Sequence, residues 1–567
     1  MPPIHSIRDI DLEPPPNRKY FNCDREWREE FIYFLLVDRF DDGLPRRSGG
    51  GPARARGSGT LPQLKRFCGG KLRGVTNNLD YIRGLGCTAL WLSPLFENND
   101  APDPDSDKYH GYSIQNYLEI DPRFGTKQDL IDLVAAAHER DMRVFLDVVL
   151  NHSGDNWAYP DDAVYRYFND EQFGFGYWRR PDRPLPVELR DERMYHRRGQ
   201  IGDFDAFPEC QHGDFFSLKG FNNDECVDGL KQIDIMVQAH CWWMRETDID
   251  GFRLDAVKHM GERCVARFCT GVGEYAHRLG KRQFFCFGEL IAGDDAINHY
   301  TGPNTAADNN SSIFFGLSSV LDFPLYFTLP NVLKGLAAPH SLKSRYDALN
   351  NGALTRGELG RYLVTFVDNH DAVGQEPKRR FGSGATDDQI IAGIGYLLTA
   401  IGTPCIYYGT EQGFEGEGSD DALIREAMFD LQDASSTRLN PECRIYKEIA
   451  AIAAEFHRRP ELRFGRIYFR QISGDGVHFG HPEGQPCTIA FSRLLAGSEV
   501  LVAYNTSVTE RRDDHVIVDS EVQSGRSQMQ IVYSNASRAG RTVEIDKGPA
   551  GCSVQLSLEP GEFVILQ

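Results

Sequence analysis

The sequence predicts an α/β fold, a (β/α)8 TIM barrel with a subdomain inserted after its third strand and an antiparallel β-sandwich at the C-terminal end. Three observations carry this. Between about residues 31 and 410, eight short apolar runs each lead through a turn into a longer helix-like segment, the pattern of βα units around a parallel sheet. Residues 152–221 interrupt that rhythm with a stretch rich in Tyr, Phe, Trp, Arg and Asp, too long for an ordinary connection. After about residue 460 the runs shorten, alternate and are separated by turn residues, as in a sandwich.

The eight runs read as strands are 32–37, 89–92, 144–149, 251–254, 284–287, 320–323, 363–367 and 404–407. Between them, 127–140 and 390–401 space Leu, Ile, Val and Ala at helical intervals. A Gly, Arg, Pro and Ser-rich stretch, 43–63, has too few apolar residues to pack and is expected to be a mobile loop. Trp242 and Trp243, in a helix-like segment before the fourth strand, are expected in the core. In the last part, 500–504, 515–518, 530–533, 542–545 and 563–566 are the alternating runs. The expected domains are residues 1–151 and 222–458 for the barrel with an N-terminal extension, 152–221 for the subdomain and 459–567 for the sandwich.

Composition narrows the partners. The 567 residues are 41% hydrophobic, enough for a sizeable core. A formal net charge of -20 repels nucleic acid and anionic membranes and favours a neutral substrate. No run approaches the roughly 18 apolar residues of a membrane helix. The first twelve residues lack the apolar core of a secretion signal, which points to a cytoplasmic protein, or to a secreted one whose leader was trimmed. Thirteen cysteines are scattered without the close pairing of a zinc site and are expected to be reduced.

A barrel of this kind presents reactive side chains at the C-terminal ends of its strands. Strand three ends in Asp147-Val148-Val149-Leu150-Asn151-His152, and strand four runs Gly251-Phe252-Arg253-Leu254-Asp255-Ala256-Val257-Lys258-His259. Strand five ends in Phe287-Gly288-Glu289 and strand seven in Phe366-Val367-Asp368-Asn369-His370-Asp371. In this order the four runs resemble the signature regions of the α-amylase family, glycoside hydrolase family 13. Tyr109-His110-Gly111-Tyr112, Gly402-Thr403-Pro404 and Tyr408-Gly409-Thr410-Glu411 extend the resemblance over residues 31–430.

Cleaving an acetal needs a proton donor on the leaving oxygen and a carboxylate facing the anomeric carbon. The resemblance implies Asp255 as the nucleophile of a retaining α-1,4-glucosidic hydrolase, Glu289 as general acid/base and Asp371 as the stabiliser of a distorted sugar. Arg253, two residues before Asp255 on one strand, points the same way and keeps the nucleophile ionised. By matching position, His152 and His370 donate to sugar hydroxyls, Tyr112 stacks on the sugar, Lys258 and His259 contact the leaving-side sugar, and Asp421 and Arg425 support it from the rim. Asp147 and Asp368 are expected to brace strand ends.

The expected substrate is an α-glucan or maltooligosaccharide, with no organic cofactor. The resemblance also implies a calcium ion on Asn151, a subdomain aspartate for which Asp214 is the candidate, and the backbone carbonyl of His259. Ser217-Leu218-Lys219-Gly220-Phe221-Asn222 departs from the Leu-Pro-Asp-Leu motif usual there. Transfer of the sugar to a second sugar uses the same residues as hydrolysis, and both stay open. A sugar-binding relative without catalysis is the third reading, opposed by the joint presence of the three acids and Arg253.

Overall fold

In the computed structural model, which describes residues 4–48, 54, 57–99, 106–223, 225–301, 316–352, 359–433 and 435–567, eight parallel strands close into a barrel. They are β1 (Ile32–Leu35), β2 (Ala89–Leu92), β3 (Arg143–Val148), β4 (Gly251–Leu254), β5 (Phe285–Gly288), β6 (Ser319–Leu321), β7 (Leu363–Thr365) and β8 (Thr403–Tyr407), each hydrogen-bonded to its neighbours in chain order. All eight fall on the runs read from the sequence. Helices cover the outer face and side chains fill the interior, so these strands are buried throughout and read as continuous greasy runs. Strand β6 is shorter than expected because the Asp322 carboxylate accepts from the Leu325 N–H and starts a helical turn, Phe323–Tyr326.

Aromatic rings fill the barrel. Phe34 stacks on Trp91 at 3.7 Å, and Phe287 meets both Trp91 and Phe145 edge-on at 5.3 Å. Trp27 packs against Phe145 and Phe285 with the Arg143 guanidinium over its ring. The outer layer includes α1 (Lys127–Glu139), α2 (Gln232–Thr247), α3 (Glu262–Arg278) and α4 (Asp387–Thr399). Thr126 caps α1 with a box to Asp129, and Thr386 caps α4 with one to Gln389. Trp243, on α2, is fully buried and donates to the Tyr117 carbonyl, while Trp242 packs under Lys127.

The segment between β3 and β4 is held by rings instead of periodic aliphatics. Trp157, Tyr159, Tyr165, Phe173, Phe175 and Tyr195 pack on one another, and two short ribbons pair Trp157–Ala158 with Tyr177–Trp178 and His152–Ser153 with Lys219–Gly220. Of the 43–63 stretch, 49–53 and 55–56 lie outside the described residues. Its described part is anchored, contrary to the expectation: Arg54 donates to the carbonyls of Gly382, Ala385 and Gly413, and Ser58 exchanges two backbone hydrogen bonds with Ala427. Polar tethers to distant carbonyls do what apolar packing does elsewhere.

Nine antiparallel strands form the C-terminal part, among them β9 (Thr488–Leu495), β10 (Ser498–Asn505), β11 (Arg512–Ile517), β12 (Gln528–Ser534), β13 (Thr542–Gly548), β14 (Gly551–Leu558) and β15 (Phe563–Leu566). The period of two divides β10 and β15 between two cores. Val500, Val502, Tyr504, Phe563 and Ile565 join the core shared with the barrel, and Leu501, Ala503, Val564 and Leu566 join a second core with Val516, Val554 and Leu556 across the fold of the sheet. The thirteen cysteines, all among the described residues, form no disulfide. Among the described residues no helix is long and apolar enough to cross a membrane.

Candidate active site

Strand register decides what meets at the barrel mouth. Arg253 lies opposite Asp147 of β3 on one side and Phe287 of β5, two residues before Glu289, on the other. Its guanidinium is fully buried and serves three carboxylates. Nη1 donates to Asp147 at 2.9 Å and to Asp255 at 2.8 Å, and Nη2 is 3.0 Å from Glu289. The turn after β4 completes the arrangement. Ala256 adopts φ 50, ψ 40, a left-handed conformation rare outside glycine, and its N–H donates to Glu289 Oε2 at 3.1 Å. Ala372, directly after Asp371, is left-handed as well, and the Asn369 carboxamide oxygen accepts from the N–H groups of both Asp371 and Ala372.

Burial and charge separate the acids. Glu289 is pushed up to about 8, first by burial and then by the charges of Asp255 and Asp371, against the pull of Arg253. Asp255 is raised to about 6 by burial, which the adjacent Arg253 opposes. Burial also raises Asp147 to about 6, yet its partners Arg253, Tyr112 and Trp91 are all donors, so it stands ionised at neutral pH. Burial works against ionisation of Asp371 too, but His370, Arg425 and Arg253 outweigh it and hold it near 2. At neutral pH the cleft therefore presents one protonated carboxyl, Glu289, among ionised ones.

The remaining expected residues divide into two groups. Around Asp371, Arg425 donates to its carboxylate at 2.7 Å and to the His370 carbonyl at 2.8 Å. The Tyr112 hydroxyl donates to Asp147 at 3.0 Å and accepts from His370 Nε2 at 2.9 Å, with the two rings parallel. His370 Nε2 is thus already engaged inside the protein, and its buried Nδ1 has no partner. Asp421 lies 3.6 Å from Arg425 and pairs with Lys378, which also donates to the Asp371 carbonyl. Burial lowers both His152 and His370 to about 3, so each is a neutral hydrogen-bonding group.

On the other flank, Lys258 pairs with Asp205, and His259 Nδ1 donates to the Cys210 carbonyl. Phe215 bridges His152 and His259, with Phe204 and the 70% exposed Phe216 beside it. Asp205 and these three rings, which sequence reasoning missed, gather beside His152, Lys258 and His259. Nothing in a single polar-aromatic insertion says which of its rings face the barrel.

Of the residues implied for calcium, Asn151 and Asp214 both bond to the 220–221 backbone, while His259 lies in the turn after β4. Asp214 Oδ2 accepts from the Tyr159 hydroxyl at 2.7 Å and Oδ1 from the Gly220 N–H at 2.8 Å. The Asn151 carbonyl accepts from the Phe221 N–H at 2.9 Å, and its side chain lies 3.4 Å from His152 Nδ1. Asp368, expected as a brace, accepts from the Thr410 hydroxyl.

Known proteins resemble this chain in fold and in sequence. A family model, the alpha amylase catalytic domain, matches residues 34–445. An alpha-amylase of Streptomyces lividans is 30% identical over 90% of this chain, which spans 59% of that relative's length. A cyclomaltodextrin glucanotransferase of Klebsiella oxytoca is 27% identical, over 89% of this chain and 78% of the relative. The crystal structure of an alpha-amylase from Geobacillus thermoleovorans complexed with acarbose superposes with a TM-score of 0.69 at 25% identity, covering 96% of this chain and 99% of that one. The closed barrel, the carboxylates gathered on Arg253 at its mouth and the match over most of its length place this chain in the α-amylase family.

Proposed function

We propose that the protein hydrolyses α-1,4-glucosidic bonds in starch, maltodextrins or maltooligosaccharides with net retention. The observation that carries this is the single guanidinium of Arg253 bonded to both Asp255 and Glu289. A planar fork can hold two carboxylates side by side, and retention calls for a separation of about 5 to 5.5 Å where inverting enzymes leave a wider gap that admits water. Asp255, ionised at neutral pH, attacks the anomeric carbon while Glu289 passes its proton to the glycosidic oxygen. The ester formed on Asp255 is neutral, which removes one of the charges that raised Glu289. Glu289 then becomes the stronger acid, stays ionised and takes the proton of the incoming water. Asp371, held ionised, accepts from sugar hydroxyls as the ring flattens.

The pH dependence follows in sign. Activity requires Asp255 deprotonated and Glu289 protonated, so kcat/KM on maltoheptaose falls as pH drops through about 6 and again as it rises through about 8. A profile with no loss on the alkaline side contradicts the assignment of Glu289.

Transfer is the second reading, favoured by Phe204 and Phe215 against His259, with Phe216 packed on Phe204, apolar rings on which an acceptor sugar can stack. A chromatographic time course on maltoheptaose separates the two. Hydrolysis yields only shorter products, released in the α-configuration by NMR of the fresh reaction. Early products longer than the substrate establish transfer, and β-configured products sink retention.

A further inference from the structure

We propose that the ammonium of Lys219 is a fixed cation inside the 152–221 segment, and that the carboxylates around it take no calcium. Lys219 stands in the stretch where the sequence departs from the family motif. Its side chain is buried, 6% exposed, with Nζ 3.3 Å from Asp155 Oδ1 and lying over the rings of Trp157 at 4.9 Å and Tyr159 at 5.1 Å. A buried cation in such a cage is held by one carboxylate and two π-faces. Its charge also acts on Asp214, opposing the burial that pushes that carboxyl up to about 6.

Two carboxylates that a calcium ion would use already have partners in the protein. Calcium takes six to eight oxygen ligands, about 2.3–2.6 Å away. Both oxygens of Asp214 accept from protein donors, Tyr159 and Gly220, and Asp155 divides its two between Lys219 and Arg179. Between Asp214 and Asn151 runs backbone: Gly220 pairs with His152, and the Phe221 N–H donates to the Asn151 carbonyl. The two residues expected to share an ion are thus linked by strand 219–221.

The test is thermal unfolding of the full chain. The wild type melts at the same temperature in excess EGTA and in millimolar calcium, and Lys219→Met melts several degrees lower in both. Lys219→Arg, which keeps the charge, recovers part of the loss. The proposal is overturned if calcium raises the wild-type Tm over its EGTA value and Asp214→Asn abolishes that rise, or if Lys219→Met melts with the wild type. Should Lys219→Met fail to fold, the wild-type melts in EGTA and calcium, compared with those of Asp214→Asn, decide alone.

Discussion

Asp255→Asn lowers kcat on maltoheptaose by on the order of 10⁴- to 10⁶-fold while leaving the fold intact. Asn matches the carboxylate in size and its carboxamide oxygen still accepts from Arg253 Nη1, so the neighbours keep their places. What disappears is the only group positioned to form an ester with the anomeric carbon. Glu289→Gln is the informative contrast. It removes a proton donor and costs about 10²- to 10⁴-fold on maltoheptaose. An aryl glucoside with an acidic phenol needs no proton in the first step, so in this variant the glycosyl-enzyme builds up. Intact-mass spectrometry of Glu289→Gln then shows the added sugar, and peptide mapping places it on Asp255. A sugar on any other residue, or turnover by Asp255→Asn near the wild-type rate, would falsify the assignment.

The barrel was readable because a parallel strand covered by helices is apolar on both faces, so each strand, such as Ala89–Leu92, is an unbroken run with turns at its ends. The sandwich was readable for the opposite reason, the alternation along Ser498–Asn505 that serves two cores. The segment after β3 gave only its length and its aromatic content. Rings such as Trp157, Tyr159 and Tyr195 pack by face and edge, with no period along the chain. The anchoring of Arg54 was equally hidden, since its three carbonyl partners lie more than three hundred residues away.

Within the site, identity was legible and geometry was not. The acids stand at strand ends, and the spacing of Arg253 and Asp255 gave their common direction. That Arg253 reaches Glu289 and Asp147 depends on barrel register, which no local pattern encodes. Ala256 and Ala372 carry no sign of their left-handed backbone, because a sequence reader looks for Gly or Asn there. The backbone strain of about 1–3 kcal/mol at these turns is sustained by the hydrogen bonds to Glu289 and Asn369.

Arg253→Met produces the second large effect, on stability and on chemistry together. The three carboxylates that share the guanidinium lose their countercharge inside the barrel, which is expected to cost about 3–5 kcal/mol, because a buried charge stripped of its partner is far worse than no pair at all. The protein relieves that cost by taking up protons. Arg253 lowers the pKa of both Asp255 and Glu289, so its removal raises both, and the acid limb of kcat/KM moves to higher pH. At neutral pH a growing share of Asp255 is then protonated and unable to attack. Arg253→Lys separates charge from shape. An ammonium restores much of the countercharge and brings the acid limb back towards about 6, but it has no planar fork with which to hold Asp255 and Glu289 at once. Its kcat therefore stays well below the wild type even where both acids are in the right protonation state. A pH–rate series on the two variants beside thermal melts checks each part: Met shifts the limb and the Tm, Lys chiefly kcat. If the limb stays in place in Arg253→Met, Asp255 is ionised by some other group and the role given to this guanidinium is wrong.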